Sequence, residues 1–392
     1  MSSEQFQQLT VISYVEQALC TDRGTDNRSM TFPLLGLFGE TGSVLSEVKK
    51  KQRDARSYVG YAANVTEEFG DALWYLTVVA ERGGLNLASI ASQLACAVPA
   101  KDGAGDAPIT FAALQPEHMP LLGKPTPEFE KQLLELAGEV GLLVVDYQAN
   151  RLNENPPALT GRLLGILQSL VQAANNAGVT LEAAAVKNLH KTQDRWPVKK
   201  NYPPLLDEKA EEPEKLPRTL TVEIFEREMN GKTYVFQRCN EINIGDRLTD
   251  NAMEPDDYRF HDVFHYAYAA ILGWSPVTRA LFHLKRKSDP VIDEAQDGAR
   301  ATLIEEGIST WIFGRAKELD LFEGLEPGDL PLDMLKNIRQ FVKGYECDEL
   351  PLWLWEEAIL QGFEAFRFLK EHRRGRVLID MEERRLTVEA LP

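Results

Sequence analysis

The sequence predicts a mainly α protein: two related helical halves, then a third block that opens on a β-hairpin and continues as helix. Three observations carry this. Apolar residues recur at helical spacing, first in Phe6, Leu9, Ile12 and Tyr14 and later in Ala72, Tyr75, Leu76 and Val79. GLFGETGSVLSEV around Glu40 resembles ELAGEVGLLVVDY around Glu139, and FGDALWYLTVVAERGGLNL resembles LGILQSLVQAANNAGVTL. Glu40 then matches Glu139, Gly42 matches Gly141 and Gly84 matches Gly178, an internal repeat that predicts one helical bundle built from two tandem halves. Finally, Leu220, Val222 and Ile224 alternate before Asn230-Gly231, and Tyr234 and Phe236 follow. This is the pattern of a β-hairpin with a type I′ turn, and helical periodicity resumes from Tyr258.

Stretches rich in Pro at 98–127 and at 197–217 read as linkers, leaving blocks at 1–97, 128–197 and 218–392. With 392 residues, 44% of them hydrophobic, each block has enough apolar surface for a core. The net charge of -17 opposes binding to nucleic acid, whose affinity for proteins comes mainly from basic groups that displace counterions. Cys20, Cys96, Cys239 and Cys347 lie far apart without metal-ligand spacing, so reduced thiols are expected rather than disulfides or a cysteine zinc site. MSSEQFQQLT lacks the blocks of a signal peptide, and no stretch approaches the about 18 apolar residues of a membrane span. The expectation is a soluble cytoplasmic protein with no membrane partner.

On a helix, residues three, four or seven apart return to nearly one face. Glu40 and Glu47 therefore share a stripe, and Glu68 and Asp71, within EEFGD, lie one turn apart on a second helix. If these helices pack together, up to four carboxylates meet in one cleft, where divalent cations offset their repulsion and desolvation. Oxygen-only ligands favour Mg²⁺ or Mn²⁺ over zinc.

These segments resemble the MazG-like all-α nucleoside-triphosphate pyrophosphohydrolases, whose signature is an E-x-x-E helix followed by an E-x-x-D helix. The resemblance covers about residues 5–95 and, in a degenerate form, the second repeat to Trp196. Glu68-Phe-Gly-Asp71 keeps the second half of the signature. In Glu40-Thr-Gly-Ser43 the second Glu is replaced by Ser. Either Glu47 or a water on Ser43 stands in for it, or one metal position is weakened. The resemblance implies a tandem MazG-like bundle that hydrolyses a nucleoside triphosphate, with Mg²⁺ or Mn²⁺, to a monophosphate and pyrophosphate. Implied metal ligands are Glu40, Glu47, Glu68 and Asp71, with Glu47 and Glu68 as the catalytic carboxylates.

The second repeat retains Glu139 but carries Leu142, Arg162 and Gly165 where a metal site needs acids. It ends in KNLHKTQDRWP, similar to the family's closing helix, which offers polar groups near the phosphates. Asn188, Lys191 and Arg195 are thereby implied as substrate-binding residues completing the site of the first repeat, with Lys50 a further phosphate contact. Trp74 reads as core rather than as a platform for the base.

The third block holds a second candidate site. His261 and His265 are four apart on one helical face, with Asp262 adjacent, and Glu294, Asp297, Glu305 and Glu306 follow downstream. Between them, Lys285, Arg286 and Lys287 stand out in an acidic chain. Three functions compete: a pyrophosphohydrolase acting in nucleotide pool control, housecleaning or defence; a nucleotide-binding sensor; and a metal phosphohydrolase whose main site is in the C-terminal block. Single-repeat relatives are completed by association with other chains, whereas here the two halves are already covalently joined; a homo-oligomer is a further candidate assembly.

Overall fold

The structure, a computed structural model, describes residues 8–24, 28–97, 108–116, 120–152 and 155–391. Phe6 of the predicted opening helix and residues 98–107 of the first Pro-rich stretch lie outside them. The chain divides into two compact units, Met1–Val198 and Lys199–Pro392, and is mainly α.

In the first unit, α1 (Val11–Leu19), α2 (Thr31–Asp54), α3 (Tyr61–Arg82) and α4 (Leu87–Ala97) precede the single turn α5 (Phe111–Leu114). The helices α6 (Pro127–Gln148), α7 (Pro156–Ala177) and α8 (Leu181–Arg195) complete it. Their starts follow local chemistry: the side chains of Thr126, Asn155 and Thr180 accept the backbone N–H groups of Phe129, Ala158 and Ala183. Proline in the first turn of α6 and α7 removes a donor that has no helical partner. The helices pack as two hairpins, α2 on α3 and α6 on α7, with α2 also against α6 and α3 against α8. Both sequence repeats thus surround one apolar core, in which Tyr14, Phe69, Phe111 and Phe129 are fully shielded.

The contact of α3 with α8 depends on Gly70. A Cβ there would stand 2.4 Å from the Ala184 carbonyl oxygen and 3.0 Å from Asn188 Cβ. A bare backbone at this position lets α8 come close enough to present its polar side chains to the acids of α3.

The second unit begins with 199–217, which reads as a linker in the sequence yet contributes to the interior. Leu216 is buried, and Asp207, 1% exposed, accepts the Leu216 N–H (2.7 Å) and pairs with Arg279 (3.0 Å) and Arg218 (2.9 Å). The predicted hairpin is β1 (Thr219–Met229) and β2 (Lys232–Cys239), with Met229 opposite Lys232. Asn230 and Gly231 take φ of +52° and +73°, the left-handed pair that a type I′ turn requires.

Three strands absent from the sequence reading extend this hairpin: β3 (Ile242–Leu248), β4 (Arg374–Asp380) and β5 (Arg385–Glu389). The sheet is antiparallel in the order β3-β2-β1-β4-β5. The last two strands are short and follow directly on a long helical run, so the alternation of Val377 with Ile379 offers too few positions to break a helical assignment. Between the strands lie α9 (Asp262–Ala267), α10 (Pro276–Leu281), α11 (Pro290–Ala295), α12 (Ala299–Ala316), α13 (Leu332–Phe341) and α14 (Leu352–His372). The core of this unit packs Trp274, Trp355, Phe264 and Phe366 under the sheet residues Val222, Ile224, Val377 and Ile379. No described helix is long and apolar enough to cross a membrane, and all four cysteines are free thiols.

Candidate functional site

In the first unit, packing of α2 on α3 brings Glu40, Glu68 and Asp71 together, with one carboxylate oxygen of each within 4.8 Å of the others. Burial, then repulsion from Glu40 and Asp71, pushes the Glu68 carboxyl up to about 8. The cluster therefore carries more negative charge than it comfortably holds. Its donors are all oxygen, the set suited to Mg²⁺ or Mn²⁺, and its half-buried position leaves a side open to solvent.

The other wall is α8. Asn188, 3% exposed, donates to Asp71 Oδ1 at 2.9 Å and accepts from the Tyr14 hydroxyl at 3.3 Å. Lys191 pairs with Asp71 Oδ2 and, at 3.1 Å, with Glu67. Burial alone would depress the Lys191 ammonium, but Asp71 and Glu67 outweigh it and hold the group above its ordinary range. Two supporting residues are not read from the sequence as part of the site: Tyr14, which appears there only as a position of the apolar stripe, and Glu67. Glu67 had a signal: it lies four residues before Asp71, so both face the same turn of α8.

Other predicted residues sit elsewhere. Glu47 is buried, but its oxygens go to Lys50 (2.6 Å) and Asn64 (3.3 Å). Ser43 is half-buried on α2 between Glu40 and Glu47. Arg195 is buried, with its guanidinium 5.3 Å from the centre of the Trp196 ring. Trp74 donates its indole N–H to Ala18 O (3.1 Å) and Thr21 Oγ1 (2.9 Å) and meets Tyr75 edge-on. In the second repeat Glu139 lies against Gly165, while Arg162 pairs with Asp146 at 2.5 Å. Asp146 is paired with Arg151 as well, so this acid of the second hairpin takes its counter-charge from two guanidinium groups of the same repeat.

In the second unit, His261, just ahead of α9, and His265 within it face α12. Each ring has its Nδ1 engaged: His261 with the Tyr258 carbonyl (2.9 Å) and His265 with Glu305 Oε1 (2.8 Å). Their Nε2 atoms lie 3.7 and 3.5 Å from the same oxygen, Glu306 Oε2. Burial lowers the His261 imidazole and His265 lowers it further. For His265 burial is outweighed by Glu305 and Glu306, which raise it to about 10. Asp262 stays beside His261 Nε2 at 3.1 Å, its other oxygen held by Gln237.

The remaining acids of the predicted second site do not join the histidines. Asp297 is buried against Arg286, with bonds of 2.7 and 3.0 Å, and the same guanidinium reaches Glu346 at 2.7 Å. Glu294 is exposed on α11. The basic segment is thus partly a structural ion-pair network, a role that spacing alone does not separate from a ligand set. No curated protein and no solved structure matches the chain. Residues 201–392 do match the family model described as the MazG C-terminal domain, which links the chain to the MazG family.

Proposed function

We propose that the Met1–Val198 unit hydrolyses a nucleoside triphosphate between its α and β phosphates, giving a monophosphate and pyrophosphate, with Mg²⁺ or Mn²⁺. The observation that carries this reading is the oxygen cluster of Glu40, Glu68 and Asp71, with Asn188 and Lys191 of α8 on Asp71. The link of residues 201–392 to the MazG family is consistent with it. Glu40, Glu68 and Asp71 would hold the cation. When bound there, the metal supplies an acidified water and offsets charge on the phosphates.

The protein's own groups then divide the work. Asn188 fixes the rotamer of Asp71 by donating to one of its oxygens. Lys191 stands beside the acids as a cation able to turn toward a phosphate, and Glu47 holds Lys50 at the far end of α2 as a second one. Glu68, held up to about 8 by burial and by its acidic neighbours, would be the carboxylate that accepts a proton from the attacking water. With Glu47 occupied by Lys50 and Asn64, the stripe of α2 offers Ser43 rather than Glu47 as the position nearest Glu40 in sequence.

Two outcomes follow. Lys191→Met should reduce turnover by about 10- to 100-fold, as loss of a charge-stabilising donor does. It should also tighten Mg²⁺ binding, because a competing cation leaves Asp71. Steady-state kinetics with a metal titration reads both, and wild-type turnover would remove Lys191 from the site. Ser43→Glu adds an acid one turn from Glu40 and should strengthen Mg²⁺ binding by roughly severalfold, since affinity rises with ligand charge, while activity holds or rises. A large loss of activity would instead give Ser43 a role of its own. The function itself is tested by a pyrophosphate-release assay on ribo- and deoxyribonucleoside triphosphates, with and without Mg²⁺ or Mn²⁺; no metal-dependent release from any of them would overturn it.

A further inference from the structure

The histidine cluster of the second unit is not used by the chemistry above, and its hydrogen bonds define what it lacks. The Tyr258 carbonyl can only accept, so His261 carries a proton on Nδ1. Glu305 already accepts from Ser275 Oγ (2.6 Å) and the Val277 N–H (2.8 Å), so it too acts as an acceptor and His265 donates from Nδ1. In the neutral form that ligates a metal, both Nε2 lone pairs then face carboxylates: Glu306 for both rings, and for His261 also Asp262 Oδ1 at 3.1 Å. His265 is 1% exposed, and its Nε2 has no hydrogen-bond partner. At 3.5 Å from Glu306, a proton on this nitrogen would be too far for a good hydrogen bond.

The distances suit a shared cation better. Ligand bonds of about 2.1 Å in a tetrahedral site put neighbouring ligand atoms about 3.4 Å apart. The two nitrogen-to-oxygen separations are 3.5 and 3.7 Å, and all three ligand atoms lie within 4.8 Å of one another. The supporting bonds also have the form found around metal-bound imidazoles, in which Nδ1–H is donated to a carboxylate or carbonyl and fixes the ring. Tyr258 stacks on His261 with ring centres 4.3 Å apart, and α9 runs directly into a wider π turn at Tyr268–Leu272.

We propose that His261, His265 and Glu306 bind a divalent first-row transition metal of the zinc class, distinct in kind from the oxygen-only cluster of the first unit. Two imidazole nitrogens select such ions over Mg²⁺. The Glu306 side chain is 39% exposed, so the ion faces solvent on that side and keeps a position for water. Two histidines, one carboxylate and an open position form a donor set of hydrolytic and redox sites rather than of closed structural ones. Glu305 is the positioning residue, acting through His265.

The test uses the full chain, stripped with chelator and reloaded. Zn²⁺ bound per chain is measured by elemental analysis, and Co²⁺ serves as a spectroscopic probe of nitrogen ligation through its visible d–d bands. One nitrogen-ligated ion per wild-type chain is expected. His265→Gln and Glu306→Gln should each weaken Zn²⁺ binding by at least ~100-fold, beyond the loss typical of supporting residues. Asp71→Asn should leave the Co²⁺ spectrum unchanged. If His265→Gln does not fold by circular dichroism, the half-exposed Glu306→Gln decides alone. A wild type without nitrogen-ligated Co²⁺, or a folded Glu306→Gln that binds Zn²⁺ like the wild type, overturns the proposal.

Discussion

Asp71→Asn is expected to lower metal-dependent pyrophosphate release by about 10³-fold while leaving the helical content unchanged. The substitution keeps shape and removes charge. Asp71 has the most partners of the three clustered acids: it faces Glu40 and Glu68 and takes bonds from Asn188 and Lys191. Without its charge the cluster loses a ligand, and Lys191 keeps Glu67 as its anionic partner. A metal centre provides several kcal/mol of stabilisation to the transition state, so weakening it by one ligand reaches roughly this size. Turnover within about threefold of wild type would contradict the placement of Asp71, since a ligand's loss is worth far more than that.

The second large effect is on stability. Asp207→Ala should destabilise the Lys199–Pro392 unit by about 3–5 kcal/mol, the cost of removing one partner from a buried ionic network. Asp207 is 1% exposed and Arg279 likewise, and the mutation leaves the Arg279 guanidinium with a lost partner inside the unit. Denaturant unfolding of the full chain, followed by probes in the second unit, measures the change. The neighbouring exposed Glu208→Ala is the control and should shift stability by less than about 0.5 kcal/mol. A loss below about 1 kcal/mol for Asp207→Ala would mean that the network relaxes onto solvent or other acids at little cost.

Asp207 also marks a limit of reading sequence. It lies in a Pro- and charge-rich stretch whose composition resembles a solvated linker, and nothing local announces that Arg279, far along the chain, will bury it. Asp297 is a similar case: its one-turn spacing from Glu294 is that of a ligand pair, but Arg286 claims it. What spacing does convey is which face a residue occupies. Glu40, Glu68 and Asp71 were legible for that reason, and so were Asn188 and Lys191, which follow the helical period of α8.

Adjacent residues are harder to separate, because consecutive side chains on a helix point about 100° apart. Glu305 and Glu306 look interchangeable in sequence, yet one supports His265 through Nδ1 and the other faces both Nε2 atoms. The hairpin of β1 and β2 was legible from Asn230-Gly231, because a turn type is a local property. Addition of β3, β4 and β5 to it depends on tertiary pairing, and β4 joins β1 across more than a hundred residues.

Product analysis tests the central claim most directly. The full chain is incubated with a nucleoside triphosphate and Mg²⁺, in parallel with Asp71→Asn, and the nucleotide and phosphate products are resolved by chromatography. The account predicts monophosphate and pyrophosphate in equal amounts from the wild type, with almost none from the variant. Diphosphate with orthophosphate, or equal monophosphate formation by both proteins, would contradict it.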